Sequence, residues 1–243
     1  MLTLIYTSGT TGPPKGVQIT HANMMAECRA VAEVLPMTPG GRMTSYLPSA
    51  HVADRCLGNY YPSIIHGAAI TSVADVRQVV AALPEVRPTV WGAVPRIWEK
   101  MRAALQMQGI TNPNALPDEA KSTIRAKLGL DEVEWLVSGA APIATEVLEY
   151  FRALGLAICE GWGMSELSCL ATINPPDDIR VGTVGRALPT LELKLLDDGE
   201  LLCRGPIVMK GYRSEPDKTA EVIDADRWLH IGDIAEIDAG GYV

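Results

Sequence analysis

Apolar residues along this chain alternate between short continuous runs and stripes at helical spacing. Leu2 to Tyr6 and Val17 to Ile19 are runs of strand type on either side of a polar segment. Behind Thr20, a possible helix cap, Met24, Cys28, Val31, Ala32 and Leu35 form a helical stripe that Pro36 stops. Tyr46 to His51 leads into a second helical stretch, Ala68 to Val73 reads as a strand, and Val76, Val79, Val80 and Leu83 restore a helical stripe. Thr89 to Val94 has the character of a buried strand and precedes an amphipathic helix from Arg96 to about Gln108. A polar connection over 109–117 leads to a helix over Asp118 to Leu128, a strand over Trp135 to Ser138, a helix over Ile143 to Leu154 and a strand over Leu156 to Glu160. Strands alternating with helices predict an α/β fold.

The texture changes at Asn174-Pro175-Pro176-Asp177-Asp178, a turn-rich stretch. Beyond it come short alternating runs, Leu191 to Leu196 and Glu200 to Arg204 around an Asp197-Asp198-Gly199 turn, with one helix over about Pro216 to Ile223. The expected organisation is a phosphate-loop region over 1–24, an α/β subdomain over 25–176 and a small β-barrel-like subdomain over 177–243. Composition adds bounds. With 243 residues, 47% of them hydrophobic, a sizeable core is within reach. A net charge of −8 argues against nucleic acid as the main partner, because no basic footprint meets phosphates. Five cysteines, Cys28, Cys56, Cys159, Cys169 and Cys203, are odd in number and form no C-x-x-C pair, which reads as reduced thiols of a cytoplasmic protein.

Three constellations carry candidate chemistry. The first is Tyr6-Thr7-Ser8-Gly9-Thr10-Thr11-Gly12-Pro13-Pro14-Lys15-Gly16-Val17, where glycines expose backbone N–H groups, hydroxyls add donors and Lys15 supplies a positive charge, as a phosphate site requires. It does not meet the Walker pattern and is expected as a loop between strands. A plain polar turn has the same residue types. The second, Glu160-Gly161-Trp162-Gly163-Met164-Ser165-Glu166, directly follows an expected parallel strand, beyond whose carboxyl end ligands bind in open α/β sheets. Trp162 can stack on a purine, Ser165 can donate to a phosphate, and Glu166 offers oxygen to Mg²⁺; a glycine-hinged turn around a core tryptophan fits the same residues. Small residues at Gly139, Ala140 and Ala141 would let a flat base lie on backbone. The third is Trp228 to Asp233, where Asp233 follows a glycine and can accept ribose hydroxyls, or stands as an ordinary turn aspartate.

Taken in this order, these stretches resemble the acyl-adenylating (AMP-binding) superfamily of acyl-CoA synthetases, peptide-synthetase adenylation domains and firefly luciferase. Gly182 to Arg186, Gly199 to Pro206 and Met209 to Tyr212 match as well. Leu47 to Arg55 and Val94 to Met101 look most like long-chain fatty acid–CoA ligases. The resemblance implies a two-step ligase: a fatty carboxylate attacks ATP to give acyl-AMP and pyrophosphate, and the coenzyme A thiol then displaces AMP. It implies that Lys15 and the 7–12 loop hold phosphates, that Ser165 contacts them, that Glu166 holds Mg²⁺, that Trp162 lies beside adenine, that Asp233 holds the ribose and that His51 lies near the acyl carboxylate. Without the surrounding match, His51 reads as a structural histidine and Asp54 with Arg55 as a surface pair.

Trp162 and Ser165 stand where the family more often has tyrosine and threonine, and Asp54 where a longer glutamate is common. The 106–122 connection is short for a long-chain member, which leaves chain-length specificity open. The family's long N-terminal half and its mobile C-terminal lid, with a lid lysine, find no counterpart here. The expectation is a central fragment with weak or absent activity and low solubility alone, completed by a second chain, or else a nucleotide- or acyl-binding remnant or a non-functional fragment of a split ligase gene. At most peripheral membrane contact is expected, since no amphipathic basic helix is present.

Overall fold

The computed structural model describes residues 1–7 and 13–243. Strands β1 (Thr3–Thr7) and β2 (Lys15–Ile19) form an antiparallel pair in which Thr7 faces Lys15. Helix α1 (His21–Val34) starts at a capping box, Thr20 accepting from the Asn23 N–H while the Asn23 side chain accepts from Thr20. Asn23 Nδ2 also donates to the carbonyls of Pro206 and Val208 at 2.7 and 2.9 Å, so this cap anchors a segment far away in sequence. Strand β3 (Arg42–Ser45) precedes α2 (Val52–Arg55), which passes straight into a π-helix over Cys56–Ile65. The second helical stretch is therefore wider than an α-helix for most of its length, with Pro62 inside it. Strand β4 (Ala69–Ser72) runs parallel to β3.

Helix α3 (Val79–Val86), β5 (Val90–Ala93), α4 (Pro95–Met107), α5 (Asp118–Leu128), β6 (Trp135–Ser138), α6 (Thr145–Ala153) and β7 (Ile158–Trp162) continue the alternation. β5, β6 and β7 are parallel, and β8 (Thr172–Ile173) and β9 (Arg186–Ala187) extend that sheet antiparallel. Backbone pairing thus continues across the turn at Pro175. β7 runs to Trp162, so Gly161 and Trp162 lie within the strand rather than after it. The remaining strands are β10 (Glu192–Leu195), β11 (Glu200–Arg204), β12 (Gly211–Tyr212) and β13 (Leu229–Ile234), with α7 (Pro216–Val222) before the last.

The fold is α/β, as the alternation implies. The last third is not a closed barrel, however: β10, β11 and β13 make an open antiparallel sheet, and β12 leaves them to pair with β2. Alternating runs and tight turns look the same in an open sheet and a closed one, because closure depends on non-local pairing. One hydrophobic cluster joins both ends of the chain, with Val17, Ile19, Met24 and Val31 packed together with Leu201, Cys203 and Leu229. A second lies under α4 and α6, where Trp98 meets Trp91 and Phe151 edge-on at centroid distances of 4.9 and 5.2 Å. Both tryptophan N–H groups are satisfied, Trp91 by Thr44 Oγ1 and Trp98 by the Ala93 carbonyl. Among the described residues no helix is long and apolar enough to cross a membrane.

Trp98→Ala empties the centre of the second cluster and should lower unfolding free energy by about 3–5 kcal/mol in urea titrations. Met107→Ala, at an 83% exposed position on the same helix, should change it by less than about 0.5 kcal/mol.

Candidate functional site

Ser8, Gly9, Thr10, Thr11 and Gly12 lie outside the described residues. The residues flanking them are placed by the β1–β2 pairing, which sets Thr7 opposite Lys15 at the loop end of the hairpin. Lys15 Nζ stands 4.8 Å from the ring centroid of Tyr212, a cation–π contact. The same ring reaches the opposite charge: its hydroxyl donates to Glu166 Oε1 at 2.9 Å. Glu166 is only 6% exposed. Burial, with the Glu166 carboxylate beside it, pushes the Tyr212 pKa up, so the phenol remains a proton donor across the physiological range. Tyr212 is fixed in turn by pairing with Val17 and by its N–H on Thr219 Oγ1 at 2.9 Å.

Glu166 sits in a 3₁₀ turn, Ser165–Leu167, sewn to the 207–209 segment. Its carbonyl accepts from the Met209 N–H at 2.8 Å, and the Ser168 hydroxyl, fully buried, donates to the Ile207 carbonyl at 2.6 Å. The glycines before this turn are required by packing. A Cβ on Gly163 would lie 1.9 Å from the Cys169 carbonyl oxygen, and one on Gly161 would meet Ile173 and Leu170 at 2.7 and 2.8 Å. Gly139 lies against the same strand, since its Cβ would come within 3.1 Å of the Gly161 carbonyl. Next to it Ala140 adopts φ +67°, a left-handed conformation uncommon for alanine, at the carboxyl end of β6.

Two polar side chains in register on β6 and β7, Ser138 and Glu160, each leave a buried oxygen without a hydrogen-bond partner among the described residues. Burial raises the Glu160 carboxyl above the ordinary glutamate range. Such unpartnered oxygens at strand carboxyl ends suit a ligand that brings its own donors. Trp162, half-buried, and Met164 border this surface.

His51 caps α2, its Nδ1 accepting from the Ala53 N–H at 3.2 Å, and is exposed. Asp54 and Arg55 are not a surface pair: Asp54, 4% exposed, accepts from Ser45 Oγ and Asn59, while Arg55 donates to Thr3 Oγ1 at 2.7 Å and to the Ser49 carbonyl. Beside them opens a cleft of about 410 Å³ lined by Ser45, Tyr46, Leu47, Pro48, Asp54 and Val73. Asp233 is exposed on β13. Among the described residues neither His51 nor Asp233 has a hydrogen bond or ion pair to Lys15, Tyr212 or Glu166.

Residues 1–213, spanning this geometry, match the AMP-binding enzyme family. The chain belongs to that family. AMP-binding relatives include fadD11 of Mycobacterium tuberculosis, by name a fatty-acid–CoA ligase, 48% identical over all of this chain and 49% of its own length. Human long-chain-fatty-acid–CoA ligase 1 is 32% identical over 96% of this chain and 39% of its own length. The Bacillus subtilis o-succinylbenzoate coenzyme A synthetase, solved in complex with AMP, superposes at a TM-score of 0.80 with 26% identity, covering 99% of this chain and 48% of that one. The chain thus spans about half the length, or less, of the curated relatives it matches. In the cluster with Lys15 and Glu166, the residue that local sequence reading left without a role is Tyr212. The signal was the Gly211-Tyr212 match, but nothing local ties it to Lys15 and Glu166.

Tyr212→Phe keeps the ring under Lys15 and strips the donor from Glu166, and should lower stability by about 1–3 kcal/mol in chemical denaturation. A neutral effect would mean the Glu166 carboxylate is solvated without it. Because Glu160 holds its proton to a higher pH folded than unfolded, the wild-type chain loses stability as pH rises through that window. Glu160→Gln should therefore gain on wild type between the ordinary glutamate pKa and neutrality, read from melting temperatures across that range.

Proposed function

We propose that the chain forms the nucleotide-handling part of an ATP-dependent fatty acid–CoA ligase. The observation carrying this reading is Tyr212, which holds a cation, Lys15, against its ring and a buried carboxylate, Glu166, on its hydroxyl at the loop end of the β1–β2 hairpin. An adenylation step joins two anions, a carboxylate and a triphosphate. It needs positive charge on the phosphates and a cation where negative charge passes to pyrophosphate. In this reading Lys15 and the Thr7 to Gly12 loop take the phosphates and Ser165 donates to them. Gly139, Ala140, Ala141, Gly161, Trp162, Gly163 and Met164 border the adenine, and Asp233 takes the ribose hydroxyls. His51, two residues after Ser49 of the 410 Å³ cleft, attends the acyl carboxylate. No side-chain nucleophile is needed, because the substrate carboxylate and the coenzyme A thiol attack in turn.

Glu166 fits a hard cation. Tyr212 occupies one of its oxygens, and the other accepts no hydrogen bond among the described residues. A single carboxylate, with phosphate and water completing the shell, is a common Mg²⁺ arrangement. Bound there, Mg²⁺ would offset charge on the departing pyrophosphate. The five buried free thiols support a cytoplasmic setting, with at most peripheral membrane contact through the acyl substrate.

The test is a single-turnover assay of the purified chain with Mg·ATP and palmitate, scored for acyl-AMP, beside equilibrium binding of ATP. A slow formation of acyl-AMP is expected, reduced about 10²–10³-fold in Lys15→Ala. Nucleotide binding without acyl-AMP would restrict the chain to a binding role. Absence of both in a folded sample would end the proposal.

A further inference from the structure

Beneath the nucleotide surface, three distant segments bring two thiols and a carboxylate together inside the protein. Glu27 on α1, Cys56 at the start of the π-helix and Cys169 after the 3₁₀ turn each offer one ligand atom, and these atoms lie within 4.8 Å of one another. Glu27 and Cys56 are fully buried and Cys169 is 7% exposed. Cys28, 1% exposed, adds a thiol beside Cys56. An independent sign of a missing partner comes from Glu27 itself. Its Oε1 accepts from the Leu170 N–H at 2.7 Å, whereas Oε2 is buried with no partner among the described residues. A glutamate enclosed by thiols with one oxygen unanswered is costly unless something satisfies it, since a buried polar group without a hydrogen bond loses its solvation uncompensated.

We propose that Glu27, Cys56 and Cys169 bind a zinc-class divalent cation. Thiolates select a borderline-soft metal over Mg²⁺, and a carboxylate among them favours Zn²⁺ over Cu(I). Binding would displace the thiol protons of Cys56 and Cys169 and leave Glu27 as carboxylate, so uptake releases protons and strengthens as pH rises. The ion would clamp α1, the π-helix and the 168–170 segment. That segment follows the turn bearing Glu166, so the clamp would act as a structural pin beneath the nucleotide surface without contact to substrate.

The full, untagged chain purified from zinc-supplemented cells, passed through metal-free buffer and assayed by elemental analysis, should carry about one zinc per chain. After chelation and titration with cobalt(II), thiolate-to-cobalt charge-transfer bands and tetrahedral d–d bands should appear. Cys56→Ala and Glu27→Gln should lower the bound metal about tenfold, and Cys203→Ala, buried elsewhere on β11, should not. Because core variants can fail to fold, the wild-type spectrum decides first. No cobalt–thiolate bands and no retained zinc in the wild-type chain would overturn the site, leaving Glu27 a protonated acid among free thiols. Metal retained in both ligand variants would overturn it as well, placing the ion elsewhere.

Discussion

A single phenol between opposite charges organises this molecule. Lys15, on β2, and Glu166, in the 3₁₀ turn after β7, lie far apart in sequence, and Tyr212 links them, carrying one on its ring face and the other on its hydroxyl. That geometry requires β12 to leave its neighbours in the last third and join β2, which it does with only two residues, Gly211 and Tyr212. Gly211 is suited to the crossing. Its φ of +145° and the 2.7 Å that a Cβ would leave to Thr219 exclude a side chain there. Asn23 reinforces the same junction from the start of α1 by holding the carbonyls of Pro206 and Val208. The hairpin and the segment that supplies the tyrosine are therefore pinned at two points. A buried carboxylate such as Glu166 is tolerable only with such fixed donors around it.

The turn bearing Glu166 shows how packing and chemistry share residues. Gly161 and Gly163 look, in sequence, like room for a nucleotide. In the fold they are required by the chain returning from Ser168 to Ile173, which crosses them at distances no Cβ survives. Unusual backbone occurs at Ser168, where that chain turns back, and at Ala140 on the neighbouring strand end, both residues with a Cβ held at positive φ. Strain at a strand carboxyl end, beside the unpartnered oxygens of Ser138 and Glu160, marks the surface more specifically than the glycines do.

Local periodicity made much of the fold legible. The helix at Asp118–Leu128 and the strands at Trp135–Ser138 and Glu200–Arg204 begin and end where their patterns do, because caps, turns and apolar spacing are all local there. The π-helix was not readable, since an apolar stretch through Pro62 carries no mark of i→i+5 bonding. Closure of the last sheet was not readable either, because β12 is lost to β2 by pairing across nearly the whole chain. The motifs named the charged residues of the site, and the fold joins two of them. His51 and Asp233, read from equally local signals, stand apart on α2's cap and on β13.

Glu27 shows what a one-dimensional stripe hides. It lies one position before Cys28 on the apolar face of α1, beside Met24 and Val31, and a stripe drawn only through apolar residues passes over it. A charge in such a place costs several kcal/mol unless neutralised or paired, so its presence there is itself information. Burial pushes its carboxyl well above the usual range, and its neighbours are thiols rather than an arginine or lysine. A proton on Oε2 can neutralise it, yet the resulting O–H is a buried donor with no acceptor among the described residues, while Oε1 already accepts from the Leu170 N–H. Three polar side chains from three segments then meet for no gain that a valine and two alanines would not supply better. A cation bound among them would turn that cost into cohesion between α1, whose Asn23 holds the segment leading to Tyr212, the π-helix and the segment after Glu166.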